Sequence, residues 1–223
     1  MDEAAKDYKK FSATIIPGAQ NVLGVRLPTL RQIAKELVKN PPAHWGDSHE
    51  EIMLQGMVIG LLKGKPETIL QHVKDFIPKI TNWAVCDTFC TGLKFTRKNK
   101  ALVWEFIQPY LDSDKEFEVR FGVVMLLAYF VDDEHIDEIL QKCDAICAAE
   151  RAYYIKMAVA WAVSVCYVKF PEKTHKYLEN SCLEPWTYNK SIQKIRESFR
   201  VDKEAKAKLQ LMLQSRKRNN VAD

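Results

Sequence analysis

Apolar residues recur at three- and four-residue steps almost from end to end of this chain, and no run of alternating apolar and polar residues interrupts them. That period predicts helices and no strands. After a short first helix, the loop IIPGAQNVLGVRLP is broken by Pro17-Gly18 and Gly24, and Pro28 sits where a helix can begin without losing a hydrogen bond. That helix stops at Asn40-Pro41-Pro42. Further segments follow closely, among them Ser48 to Lys63, Pro66 to Phe76, Trp83 to Lys94, Lys98 to Leu111, Lys115 to Phe130, Glu134 to Cys143 and Glu150 to Val168. The later ones end with Thr187 to Phe199 and Lys203 to Arg218. Short separators such as Gly64-Lys65-Pro66 and Asp132-Asp133 carry the breakers and caps.

About ten or eleven short helices, none apolar enough to be a lone central core helix, predict an all-α fold of helices stacked in pairs. Units of about 40 residues would fit some five times, the scale of HEAT-like repeats. The expected architecture is a curved solenoid of HEAT-like helical pairs, an α-α superhelix, forming a single domain over 1–223 with a frayed basic tail at 214–223. A globular helical bundle is the alternative; a solenoid differs from it in offering a concave face.

Composition narrows the function classes without choosing among them. The 33 basic and 29 acidic residues leave a net charge of +4, so any polyanion site must come from clustering and not from the total. No stretch approaches a membrane span, and the start, MDEAAKDYKK, lacks the apolar core of a signal peptide, which predicts a cytoplasmic protein. Six cysteines are then expected as reduced, packed thiols. The Cys86/Cys90 and Cys143/Cys147 pairs have no evident third and fourth ligand in a chain with five histidines, so no metal site is expected.

Three polar or aromatic residues stand out on apolar helices. In ITNWAVCDTFC, steps of three and four residues put Trp83, Asp87, Cys90 and Lys94 on one side of a helix. Asp87 is then a surface carboxylate, a structural one paired with a base from a neighbouring helix, or a reactive one. In EFEVRFGVVMLLAYF, Arg120 precedes an uncharged run, and its guanidinium must reach water, a carboxylate or a phosphate because it cannot shed its charge. Asp87 is one candidate partner; a nucleic-acid phosphate is another. In YYIKMAVAWAVSVCYVKF, Trp161 has Ala158, Ala160, Ala162 and Ser164 around it, which leaves room beside the ring. Trp45, Trp104 and Trp186 are expected in the core.

Trp83-x3-Asp87, Arg120 and Trp161, in this order on successive helices, resemble the AlkD branch of the DNA alkylation repair family, HEAT-like-repeat DNA glycosylases. The resemblance runs from LGVRLPTLRQIAKEL through MLQGMVIGLL, NWAVCD, FEVRFGVVML and YYIKMAVAWAV to SIQKIRES. It implies hydrolysis of the N-glycosidic bond of cationic N3- or N7-alkylated purines in duplex DNA. Asp87 would lie beside the deoxyribose, Trp83 and Trp161 would pack on the lesion nucleotide, and Arg120 would hold the DNA backbone. Members of this branch act without the flipped-base pocket most glycosylases use. The chemistry suits those roles: an alkylated purine departs neutral, and a carboxylate can stabilise the positive charge that grows on the sugar.

The basic surface expected to bind DNA comprises Arg31 and Lys35; Lys94, Arg97, Lys98 and Lys100; and Lys190, Lys194, Arg196 and Arg200. No cofactor and no membrane partner are expected, a monomer is the default, and the resemblance implies a bacterial cytoplasm or nucleoid location. Two departures fall on the wall facing the lesion: a shorter amino-terminal part, and Ile15 where the competent members have a tyrosine. A non-catalytic relative binding damaged or branched DNA is therefore the alternative, and a protein-interaction scaffold the third reading.

Overall fold

The computed structural model describes residues 3–16, 19, 21–148 and 150–219, with the backbone alone for 3–7, 13 and 214–219. The Pro17-Gly18 break, the side chains of the expected basic tail and its last residues, 220–223, lie outside the described residues. Twelve α-helices and two 3-10 turns account for the elements found, where about ten or eleven helices were expected; no strand occurs among the described residues. The fold is all-α. The chain divides into two compact units, Met1–Val124 and Met125–Asp223, and the division falls inside one helix.

The first unit contains α1 (Glu3–Ile15), α2 (Leu27–Leu37), α3 (His49–Leu61), α4 (Pro66–Phe76), α5 (Trp83–Gly92), α6 (Lys100–Leu111) and the first part of α7 (Glu116–Tyr129). Proline opens both α2 and α4, where its missing N–H costs nothing. Ser48 caps α3: its hydroxyl accepts from the Glu51 N–H while the Glu51 carboxylate reaches back to the Ser48 N–H, a reciprocal capping box. Helix α3 packs on α2, α4 and α5. The approach to α5 is close because Gly60 faces the backbone of Gly92; a Cβ at Gly60 would stand 2.8 Å from the Gly92 carbonyl oxygen. Phe76, Phe89 and Phe121 are almost wholly buried, with ring centroids 4.4 Å apart for the first pair and 6.2 Å for the second. Burying each such ring contributes about 1.5–3 kcal/mol.

The second unit continues α7 and adds α8 (Ile136–Ile146), α9 (Tyr153–Lys169), α10 (Pro171–Asn180), α11 (Pro185–Glu197) and α12 (Lys203–Asn219). Helix α9 is its centre, packing on α8, α10 and α11, with α12 laid on α11. In each unit the heaviest packing joins every second helix, α3 with α5 and α9 with α11, and the rest joins neighbours in sequence, as in stacked helical pairs.

Several boundaries differ from the expected ones by two or three residues, and two of the shifts have a visible cause. Helix α5 stops at Gly92 and not Lys94: Leu93 leaves the helical backbone (φ −75°, ψ 55°) to bury its side chain, and Lys94–Lys98 form a 3-10 turn. Lys94 therefore does not share the Trp83–Asp87 stripe. Helix α8 starts at Ile136 and not Glu134, because the Asp132 carboxylate accepts from the His135 N–H (3.1 Å) and meets His135 Nδ1 (2.7 Å), holding that turn outside the helix.

Candidate functional site

Asn82 starts the site. Its side chain accepts from the Val85 N–H at 3.0 Å, fixing the first turn of α5. From there Ala84, Val85, Cys86, Phe89 and Cys90 turn into the core, and Trp83, Asp87 and Thr88 are left half-buried on the other side. Burial pushes the Cys90 thiol well above its ordinary value, and likewise Cys143; Cys147 rises to about 11 and Cys166 to about 12 for the same reason. Burial thus favours these sulfurs as protonated, packed thiols at neutral pH.

Arg120, on the second turn of α7, points back across to α5. Its Nε donates to Asp87 Oδ1 at 3.0 Å and its Nη2 to Asp87 Oδ2 at 2.8 Å, a two-pronged pair. The Arg120 side chain is 6 % exposed and that of Asp87 20 %. Of the partners left open by the sequence, the Asp87 carboxylate is in contact with Arg120 in this structure. The fork fixes the orientation of Asp87, whose side chain keeps a solvent-reachable edge.

That edge lines a cavity of about 230 Å³. Trp83 and Asp87 form one wall; His49, Glu50 and Met53 of α3 and Tyr8, Ser12 and Ile15 of α1 form others. The indole Nε1–H of Trp83 donates to the Ile15 carbonyl at 3.1 Å, so α1 is tied directly to the candidate site. Tyr8 was not singled out by the sequence: it lies in the first helix, far along the chain from Asp87, and only packing places it here. The Arg26 guanidinium sits 5.2 Å from its ring centroid.

Glu50 is the second residue that sequence reasoning missed. It is 3 % exposed, and its carboxylate accepts three successive backbone N–H groups, Leu23 (2.8 Å), Gly24 (2.7 Å) and Val25 (3.2 Å). Such a turn needs a residue tolerant of positive φ, and Gly24 has φ 89°. The LGV step that follows α1 is therefore gripped by α3. Next to it, burial lowers the His49 pKa below its ordinary value against the opposing charge of Glu50, and the Asn82 amide approaches His49 Nδ1 at 3.5 Å.

Trp161 belongs to the second unit, half-buried on α9, whereas Trp83, Asp87 and Arg120 lie together in the first. It borders a cavity of about 330 Å³ with Ser164 and Val165 of its own helix, Lys194 of α11, and Lys169 and Arg200. Of the other basic candidates, Arg31 and Lys35 are exposed on α2, and Lys94, Arg97 and Lys98 are exposed on the 3-10 turn after α5. Lys100 is half-buried; Lys190 lies on α11 with Lys194, and Arg196 and Arg200 are exposed. The expected core placement of the remaining tryptophans does not hold: Trp45 and Trp104 are half-buried and Trp186 is 36 % exposed. Trp186 is the second residue of α11; the next two, Thr187 and Tyr188, turn inward and are buried, while the indole is left partly exposed.

Residues 2–195 match the family model described as DNA alkylation repair enzyme. Comparison with curated proteins returned no significant match. The matched span holds Trp83, Asp87, Arg120 and Trp161, and it covers most of the 223 residues; the chain belongs to the DNA alkylation repair enzyme family.

Proposed function

Proceeding from that family membership, we propose that this protein is a monofunctional DNA glycosylase, hydrolysing the N-glycosidic bond of cationic N3- and N7-alkylpurines in duplex DNA. The observation that supports this reading best is a carboxylate oriented by a buried arginine yet open to a cavity that it shares with an indole. In the reaction, the C1′–N bond breaks and its electron pair returns to the purine, which leaves neutral. The positive charge left on C1′ and the ring oxygen is met by Asp87, and a water attacks C1′ with its proton passing to Asp87 or solvent. Trp83 and Trp161 would present electron-rich faces to the charged sugar, each worth about 0.5–2 kcal/mol. Arg120 acts here through Asp87, holding its rotamer for the developing charge.

Arg31, Lys35, Lys94, Arg97, Lys98, Lys190 and Lys194 are the residues proposed to meet the phosphates, as one monomer on duplex DNA. The chemistry calls for no metal or nucleotide cofactor. No helix among the described residues is long and apolar enough to cross a membrane.

A second reading, a DNA-binding relative without excision activity, is favoured by one specific contact. The bond from Trp83 to Ile15 and the α1 side chains lining the cavity put α1 where a sugar would have to enter. Release of 7-methylguanine or 3-methyladenine from methylated duplex separates the two: excision that is lost in Asp87→Asn supports the first, and duplex binding without release supports the second.

A further inference from the structure

The amino ends of α9 and α11 bring together an aromatic group that the glycosylase reading does not use. Tyr153, the first residue of α9, is 53 % exposed, and Trp186, near the start of α11, is 36 % exposed. Their ring centroids are 5.6 Å apart at 60°, and Tyr154 extends the cluster with a centroid 5.2 Å from that of Tyr153 at 76°. Two ammonium groups attend the indole: Lys156 Nζ at 5.1 Å and Lys190 Nζ at 6.0 Å from its centroid. Exposed rings of this size are costly to leave in water unless something covers them.

Charge and chemistry narrow what that partner is. The Lys156 charge is matched by Glu150 at 2.6 Å, and the Glu184 carboxylate is directed at the N–H groups of Trp186 and Thr187 at the start of α11. On α11, Trp186, Lys190 and Lys194 follow at four-residue steps and share one side of the helix. Successive members are about 6 Å apart along the axis. An aromatic step followed by cations in line suits a strand whose bases stack and whose phosphates continue past them. A regular duplex keeps its base faces stacked on one another, so it could meet the lysines but would leave the rings uncovered. An acidic peptide would meet the lysines but has no flat faces for the rings.

We propose that the Tyr153–Trp186 step is a stacking site for unpaired bases, and that Lys190 and Lys194 hold the phosphates of the same single strand. The inference rests on the exposed rings of the second unit and not on Asp87. It is tested by measuring the affinity of the full chain for fluorescein-labelled decathymidylate, for a base-free deoxyribose phosphate of equal length, for a paired duplex and for polyglutamate. Stacking predicts that decathymidylate binds roughly five- to one-hundred-fold more tightly than the base-free strand. Trp186→Ala and, separately, the more exposed Tyr153→Ala should reduce that preference, Trp186→Phe should keep most of it, and Lys190→Ala should weaken both strands alike. Equal affinity for the two strands, unchanged preference in both alanine variants, or polyglutamate binding as tightly as decathymidylate would overturn the proposal. So would a duplex whose affinity falls in parallel with that of the single strand in Trp186→Ala. Excision from methylated duplex, measured alongside with Asp87→Asn, reports on the glycosylase reading separately.

Discussion

Arg120 grips Asp87 through two hydrogen bonds, Nε to Oδ1 at 3.0 Å and Nη2 to Oδ2 at 2.8 Å, while its own side chain is nearly inaccessible. The same contact is a structural tie between α5 and α7 and the means by which the cavity wall carries an oriented negative charge. Arg120→Ala strands a half-buried carboxylate, and a loss of about 1–3 kcal/mol is expected once the 20 % exposure of Asp87 is allowed for. Arg120→Lys should recover only part of it, since an ammonium cannot offer the planar fork. Urea denaturation of Asp87→Asn, Arg120→Ala and the double variant checks this: the double variant should cost less than the two single changes added together.

Glu50 ties the segment after α1 to α3 through three N–H groups. Glu50→Gln keeps the shape, but its amide has one acceptor oxygen and no charge, so all three charge-assisted bonds are weakened or lost. A loss of about 2–4 kcal/mol is expected, read as a lowered urea midpoint. Because the clamp holds the residues just beyond α1, amide exchange in α1 should also quicken in this variant.

His49 gives a pH signature. Burial lowers its folded pKa below the ordinary 6.5, so as the pH falls through that value the unfolded chain takes up a proton before the native one does. Its contribution to stability is complete above about 6.5 and is lost as the pH falls through the folded value. Urea midpoints measured from pH 8 down to pH 5 should fall in the wild type, and fall less steeply in His49→Gln.

Gly60 is where α3 and α5 touch backbone to backbone. Gly60→Ala forces a Cβ to within 2.8 Å of a carbonyl oxygen that cannot rotate away, so the helices must part. About 1–3 kcal/mol of destabilisation is expected, against the usual gain from alanine in a helix. Thermal melting decides the sign. Since the displaced helix carries Asp87, any excision activity should fall further than the stability alone accounts for.

Much of this was legible in the sequence because the signals were local. The three- and four-residue period and the prolines that open α2 and α4 are written within one or two turns of chain, and the helices follow them. Arg120 announced its need for a partner because guanidinium does not neutralise, which left Asp87 among several possibilities; the coordinates show the pair with Asp87 formed. Tyr8 and Glu50 were hidden for the opposite reason. Their partners lie tens of residues away and share no period with them, so nothing in the local pattern marks a clamp or a cavity wall. Trp186 was misplaced in the core because the helical stripe suggests burial, whereas in the first turn of α11 it is Thr187 and Tyr188 that turn inward and the indole is left partly exposed.

The central claim is that Asp87 serves an excision reaction, and the most direct measurement is the single-turnover release of 7-methylguanine and 3-methyladenine from methylated duplex DNA by the wild type and by Asp87→Asn. Catalysis by an oriented carboxylate predicts release by the wild type above the spontaneous rate. In Asp87→Asn it predicts a fall of roughly a hundredfold or more, the scale of losing one electrostatic stabiliser, with duplex affinity within a few fold of the wild type. Release no faster than the spontaneous rate in the wild type, or release undiminished in Asp87→Asn, would contradict it.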